Sequence, residues 1–306
     1  MATEPQIIAT GLAFPEGPVV LGDGGILVVE VMSGCLTRIS PDGARTVVAQ
    51  TGGGPNGAAI GPDGLCYICN NGGVGPSHMP GIWLPSEAPH DTPPGAIQTV
   101  DLSSGSVRTL YAHTTETPFW GPNDLVFDAH GGFWFTDFGR DRGRTRQRGG
   151  VYYAKADGSA ITEVIPLLDG ANGIGLAPDG NTLYVAETYS SHLWQFRLSA
   201  PGMIDRAAGH LPHGGSILGR AGPGQFLDSL AVDSAGNICC ASPGLGHILV
   251  FSPTGGLRQA IAMPDFLTTN IAFGGWNRQT AFITLGSSGR LASLPWPCPG
   301  LKLHHS

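Results

Sequence analysis

The chain has 306 residues, 41% of them hydrophobic and only 13% charged, so it can bury a core and is not a disordered polyelectrolyte. A formal net charge of −7 lacks the broad positive field that nucleic acid or an anionic membrane would attract. The 48 Gly and 25 Pro follow no period of three, which excludes a collagen-like chain and points to many turns between short strands.

No apolar run approaches membrane-spanning length, and residues 1–5 carry no basic segment leading into an apolar one. Six Cys in a chain this long form no dense disulfide framework. Cys66 and Cys69 make a CxxC, but on a strand their side chains point to opposite faces, against a zinc or redox pair. The expectation is buried free thiols in a cytoplasmic protein with no nucleic-acid or membrane partner.

In chain order, the predicted elements repeat one shape six times. A polar residue opens a short apolar strand, a turn follows, and a second apolar strand returns. The copies are residues 16–30, 56–70, 123–137, 172–187, 226–242 and 270–284. Their openers are Glu16, Asn56, Asn123, Asn172, Asp228 and Asn270, and the turn residue always comes eight positions later: Gly24, Gly64, Gly131, Gly180, Gly236 and Arg278. A second hairpin follows each of the first five copies, at 34–49, 95–112, 150–165, 192–210 and 247–263. After the sixth only residues 289–296 remain, and residues 6–12 supply the missing partner. Six four-stranded antiparallel units, the last closed by the N-terminal strand, predict an all-β six-bladed β-propeller over residues 1–306 as one domain. An irregular β-sandwich would not give six copies in one register. The segments 71–94, 138–149 and 211–227 are predicted loops on the same, top rim, opposite the short turns.

In a propeller the first strand of each blade lines the central channel. The six openers should therefore converge, each offering an oxygen, two of them carboxylates. Such donors suit a hard divalent cation such as calcium, magnesium or manganese. The alternative for any single opener is turn chemistry, with the Asn or Asp bonding its own backbone. No His-Glu-x-x-His or Gly-x-Ser-x-Gly is present. The ten His show no metal spacing, and His78, His90 and His113 fall on predicted surface loops. Residues 140–148 carry five Arg, either a solvated loop or a means of drawing an anionic substrate to the mouth.

The motifs Phe14-Pro-Glu16-Gly-Pro, Gly121-Pro-Asn123-Asp-Leu, Ala171-Asn172-Gly-Ile and Leu227-Asp228-Ser-Leu resemble those of the SMP-30/gluconolactonase family, the regucalcin-like propellers, across nearly the whole chain. The run Phe133-Trp-Phe-Thr-Asp137-Phe is similar to the bacterial drug-responsive lactonases of that family. The resemblance implies one divalent metal held by Glu16, Asn172 and Asp228, with calcium first and zinc, magnesium, manganese or iron as other candidates. It implies Asp228 as the catalytic proton acceptor, with attack by the same carboxylate as a nucleophile the alternative, and Asn123 as a contact to substrate or metal. Asn56 and Trp120 complete the expected substrate contacts. Sugar-lactonase members often carry an Arg where this chain has Gly121, so a less polar lactone or ester is expected here. The expected activity is metal-dependent lactone hydrolysis. The alternatives are phosphotriester or other ester hydrolysis at the same site, and a scaffold propeller with a structural calcium.

Overall fold

The computed structural model describes residues 4–75, 79–114 and 117–305; His78 lies outside them. It is a closed ring of six antiparallel blades. The innermost strands are Pro15–Val20, Pro55–Ile60, Pro122–Phe127, Ala171–Leu176, Leu230–Val232 and Thr268–Gly274. Each packs beside the innermost strand of the next blade, and the sixth packs back on the first. In the sixth blade Arg290–Pro295 pairs with Gln6–Ala9, so the N-terminal strand is the outer strand of the last blade and closes the ring.

The core lies in the seams between blades. Tyr67 of the second blade meets Phe127 of the third edge-on, with ring centroids 5.0 Å apart, and Phe133 packs with them. Trp134, Ile174, Val185 and Trp194 fill the next seam. All six Cys are free and five are buried; burial pushes the Cys66 thiol up to about 12, so it stays protonated and inert. Among the described residues no helix is long and apolar enough to cross a membrane.

The eight-residue register carries over to backbone conformation. Gly24, Gly64, Gly131, Gly180 and Gly236 all have positive φ, as the bottom turns require. Arg278 takes the same left-handed conformation at φ 56°, which ordinarily costs about 1 kcal/mol or more for a residue with a Cβ. Its guanidinium donates from Nε to Gly300 O at 3.0 Å, and its carbonyl accepts from Gly300 N at 2.8 Å. The segment leading out of the last blade holds it there.

Two expected loops turn out otherwise. The fourth blade's outer strand is Gly215–Arg220, paired with His192–Ala200, so the hairpin does not end at His210 and only residues 221–227 form the top loop. A short strand, Met203–Ile204, and a helical turn, Arg206–Ala208, intervene at the bottom and shift the register. Residues 138–149 are likewise not a loop. Gly132–Arg142 and Thr145–Lys155 continue as one ladder to Arg142↔Thr145, a hairpin standing above the top rim.

Glycines just after three openers allow the inner strands to touch. A Cβ on Gly173 would lie 2.6 Å from Asp228 O and from Leu230 N; one on Gly57 would lie 2.5 Å from Asn123 O. Gly173→Ala is expected to cost about 2 kcal/mol by forcing backbone apart in a packed seam, read as a lower midpoint in chemical denaturation. A midpoint equal to wild type would show that the seam has slack.

Candidate active site

Five of the six openers sit at a break in strand register. The ladder shifts between Glu16 and Val19, Pro55 and Ala58, Pro122 and Leu125, Ala171 and Ile174, and Thr268 and Asn270. Such bulges re-aim a side chain; here they take Asn56, Asn123 and Asn172 out of the ladder, while Glu16 stays opposite Val29 and Asn270 opposite Thr284. In the fifth blade the ordered strand begins only at Leu230, with Asp228 N bonded to Ala241 O at 2.9 Å.

A second set of side chains braces these openers. The last residue of the second strand accepts backbone N–H groups from the segment that enters its own blade. Glu30 Oε2 takes Ala13 N at 2.7 Å, Asn70 Oδ1 takes Gly54 N at 3.0 Å, and Glu187 Oε1 takes Asp169 N at 2.6 Å. Asp137 takes Trp120, Gly121 and Gly139 N–H at 2.7–2.8 Å. Three of these four residues are acids, and all four close their repeats in the sequence.

The openers themselves divide into types. Glu16 is 2% exposed, and its Oε2 accepts from Asn270 Nδ2 at 2.9 Å and Gly17 N at 3.1 Å. Asn270 Oδ1 is taken by Ile271 N at 2.7 Å, so Asn270 orients Glu16 and is not a sixth free oxygen. Asn172 Nδ2 donates to Thr188 Oγ1 at 3.1 Å, and Thr188 donates to Leu227 O at 2.7 Å. That chain ties Asn172 to the residue preceding Asp228. Asn123 and Asn172 are buried, and the Oδ1 of each has no hydrogen-bond partner. Asn56 and Trp120 are half-buried, Trp120 three residues above Asn123.

Burial, followed by the charges of Asp228 and Asp124, holds the Glu16 carboxyl well above its usual range, and the bonds from Asn270 and Gly17 offset only part of this. Burial likewise pushes Asp228 up to about 7, aided by the Asp124 charge and opposed by Asn172 and the Ser229 N–H. Asp124 is a third carboxylate, raised to about 7 by burial and bonded to Leu125 N at 2.9 Å. The sequence reading passed over it. The signal was positional: the residue after the opener is Gly17, Gly57, Gly173, Ser229 or Ile271 in the other blades, and only here a charge.

Three carboxyls held above their usual range and two unpartnered amide oxygens thus belong to the openers or to the residue next to one. Among the described residues no cluster of three or more His, Cys, Asp or Glu side chains is arranged around a cation. The donors that fit one are therefore mixed, carboxylate with amide oxygen, and of the hard type.

The channel also holds a cavity of about 360 Å³, below the ring rather than at its mouth. Val20, Ile60, Phe127, Leu176, Val232 and Phe273 line its apolar wall, Asp124 and Asn270 border it, and residues 301–305 floor it.

The Arg-rich segment is a hairpin in which Arg140, Arg142 and Arg146 are held by partners, while Arg144 and Arg148 are exposed. Arg140 is 5% exposed and donates to Asn71 O, Thr92 O and Pro93 O at 2.7–3.0 Å, stapling both ends of the 71–94 segment. Arg142 reaches His90 O at 2.8 Å. Arg146 pairs with Asp141 and Asp169, and its guanidinium lies 3.4 Å from the centroid of the Tyr189 ring. His90 and His113 are exposed, as expected.

Residues 14–287 match the family described as SMP-30/Gluconolactonase/LRE-like region. The chain is 32% identical to "Lactonase drp35" of Staphylococcus saprophyticus over 249 residues, 79% of this chain and 67% of the relative. Among solved structures it is similar to a gluconolactonase of Xanthomonas campestris, with TM-score 0.75, 21% identity, and 97% and 96% of the two chains covered. It is equally similar to a calcium-binding protein, regucalcin, of Agrobacterium tumefaciens, with TM-score 0.75, 18% identity, and 99% and 98% covered. The structural likenesses, at this identity, bear on the fold; the match over residues 14–287 and the staphylococcal relative bear on descent. The chain belongs to the SMP-30/gluconolactonase/LRE-like family.

Proposed function

We propose that this protein is a divalent-metal-dependent hydrolase that opens a lactone at the top mouth of the channel. The observation that carries the reading is the pairing of two buried, unpartnered amide oxygens, on Asn123 and Asn172, with the neutrality-driven carboxyls of Glu16 and Asp228. Relatives named lactonase and gluconolactonase support the reaction class, and the regucalcin neighbour supports calcium as the ion.

Glu16, Asn172 and Asp228 are the residues that would hold the cation. When bound, it supplies Lewis-acid polarisation of an ester carbonyl and favours deprotonation of water at the site. The remaining work falls to the chain. Asp228 opens partly onto the mouth, within reach of water, and takes the proton from the attacking water as general base. Asn172, fixed through Thr188, keeps the Asp228 carboxylate aimed. Asn270 holds Glu16 Oε2 so that this acid does not rotate away. The amide N–H groups of Asn56 and Asn123 orient the lactone and receive the developing oxyanion, with Trp120 packing against its ring.

The test is a lactone and ester panel assayed with metal-stripped protein and after loading with calcium, zinc, magnesium, manganese or iron. Lactone turnover should appear on loading with at least one ion and vanish in chelator. Equal turnover with and without metal would overturn the metal dependence. A large rise in Tm on loading, with no substrate turned over, would make this a scaffold propeller.

A further inference from the structure

The register locates the rim of the mouth as well as its floor. Two residues before each opener stand Phe14, Gly54, Gly121, Gly170, Phe226 and Thr268. In the second, third and fourth blades these positions are Gly, and in the fourth aromatic side chains fill the space. A Cβ on Gly170 would lie 2.7 Å from Tyr189 Cδ2 and 3.3 Å from Phe138 Cε2. Phe138 N donates to Gly121 O at 2.8 Å, so its ring is carried at the entry of the third blade and laid over the entry of the fourth. The Phe138 and Tyr189 ring centroids are 5.3 Å apart. In the fifth blade the same position is itself aromatic, Phe226, two residues above Asp228. Phe138, Tyr189 and Phe226 thus belong to the entries of the third, fourth and fifth blades, whose openers are Asn123, Asn172 and Asp228.

Tyr189 is held in place before anything binds. Arg146 covers the ring at 3.4 Å, and Tyr189 Oη donates to Asp141 at 3.0 Å. Arg146 is in turn fixed by Asp141 and Asp169. Yet Tyr189 remains 38% exposed and Phe226 43% exposed. Apolar surface kept in water beside a polar site, in Tyr189 on a side chain already held in place, is the mark of a surface that a ligand covers.

Building on the function proposed above, we infer that Phe138, Tyr189 and Phe226 are specificity-determining residues. They form a shelf for the hydrocarbon part of the substrate, which is an alkyl- or aryl-substituted lactone rather than a polyhydroxylated one. The ester group sits below, over Asn172 and Asp228, and the substituent lies on the rings.

The metal-loaded protein should be assayed with γ-butyrolactone, γ-nonalactone and glucono-δ-lactone. Wild type is expected to favour γ-nonalactone over each of the others by at least tenfold in kcat/KM. Tyr189→Ala and Phe226→Ala should each lower the γ-nonalactone to γ-butyrolactone ratio about tenfold, mainly through KM. Tyr189→Phe, which keeps the ring, should restore the ratio. A preference for glucono-δ-lactone, or variants that lose both lactones equally, would overturn the shelf. Binding keeps the two proposals separable. Calorimetry with the non-hydrolysable lactams 5-pentyl-2-pyrrolidinone and 2-pyrrolidinone should show at least tenfold tighter binding of the pentyl compound to wild type but not to Tyr189→Ala. If no lactone is opened yet this difference holds, the hydrolase reading fails and the shelf stands. Equal binding of the two lactams sinks the shelf whatever the turnover.

Discussion

Asp228→Asn is expected to lower lactone turnover by at least about 10³-fold while raising the Tm of the metal-free protein at pH 8. The loss of turnover follows from removing the only ring carboxylate that opens partly onto the mouth; a positioned general base contributes about 10²–10⁴-fold. Removing a cation donor at the same position adds to that loss. The gain in stability follows from electrostatics. Burial and the neighbouring Asp124 charge push Asp228 up to about 7, and its own charge in turn raises Glu16. Above that pH the metal-free protein must keep Glu16, Asp124 and Asp228 together in a desolvated space, and an amide of the same shape relieves it. The two readouts therefore move in opposite directions, which a merely structural residue would not produce. A variant that keeps wild-type turnover would remove Asp228 from the chemistry. One whose metal-free Tm falls at pH 8 would mean that Asp228 holds the ring together.

How much of this the sequence revealed depends on what its signals encode. The eight-residue spacing from opener to turn is a backbone signal, because the turn needs a left-handed residue. It held even for Arg278, whose side chain gave no hint of that conformation. The expectation that the six openers share one end of the channel came from register, while singling out Glu16, Asn172 and Asp228 rested on the family resemblance. What register hid was the state of each opener. Nothing in the sequence separates Asn270, spent on Glu16 and its own backbone, from Asn123 and Asn172, whose oxygens are unpartnered. The hairpin of residues 138–149 was invisible for another reason. It stands above the core, its residues need no apolar alternation, and its Arg, Thr and Gln read as loop. The fourth blade's outer strand was displaced by the insertion at its lower edge, where register constrains least. Asp124 was quoted as part of a motif, but its importance lies in burial, which sequence does not display.

Stripped of divalent cations, the protein is expected to lose stability as pH rises from about 4 to about 8, and calcium is expected to reverse the trend. Asp124 and Asp228 both move from an ordinary 3.8 to about 7 on folding, and Glu16 moves well above 4.5. An acid whose pKa is raised in the folded state binds its proton more tightly there than in the unfolded chain. Its contribution is fully present below the unfolded value and is lost as pH climbs through the folded one. For Asp124 and Asp228 the loss opens near pH 4 and is complete above pH 7; Glu16, also raised, adds to it. In chelator, Tm should therefore fall by about 5 °C or more between pH 5 and pH 8. With calcium in excess the same carboxylates are ionised and paired, so affinity grows with pH and the loaded protein should gain Tm over that interval. Asp228→Asn should flatten part of the fall in chelator and weaken the calcium response. A Tm in chelator that is constant or rising from pH 5 to pH 8 would mean that these acids are already ionised in the metal-free fold, and the mouth would not be the cation site.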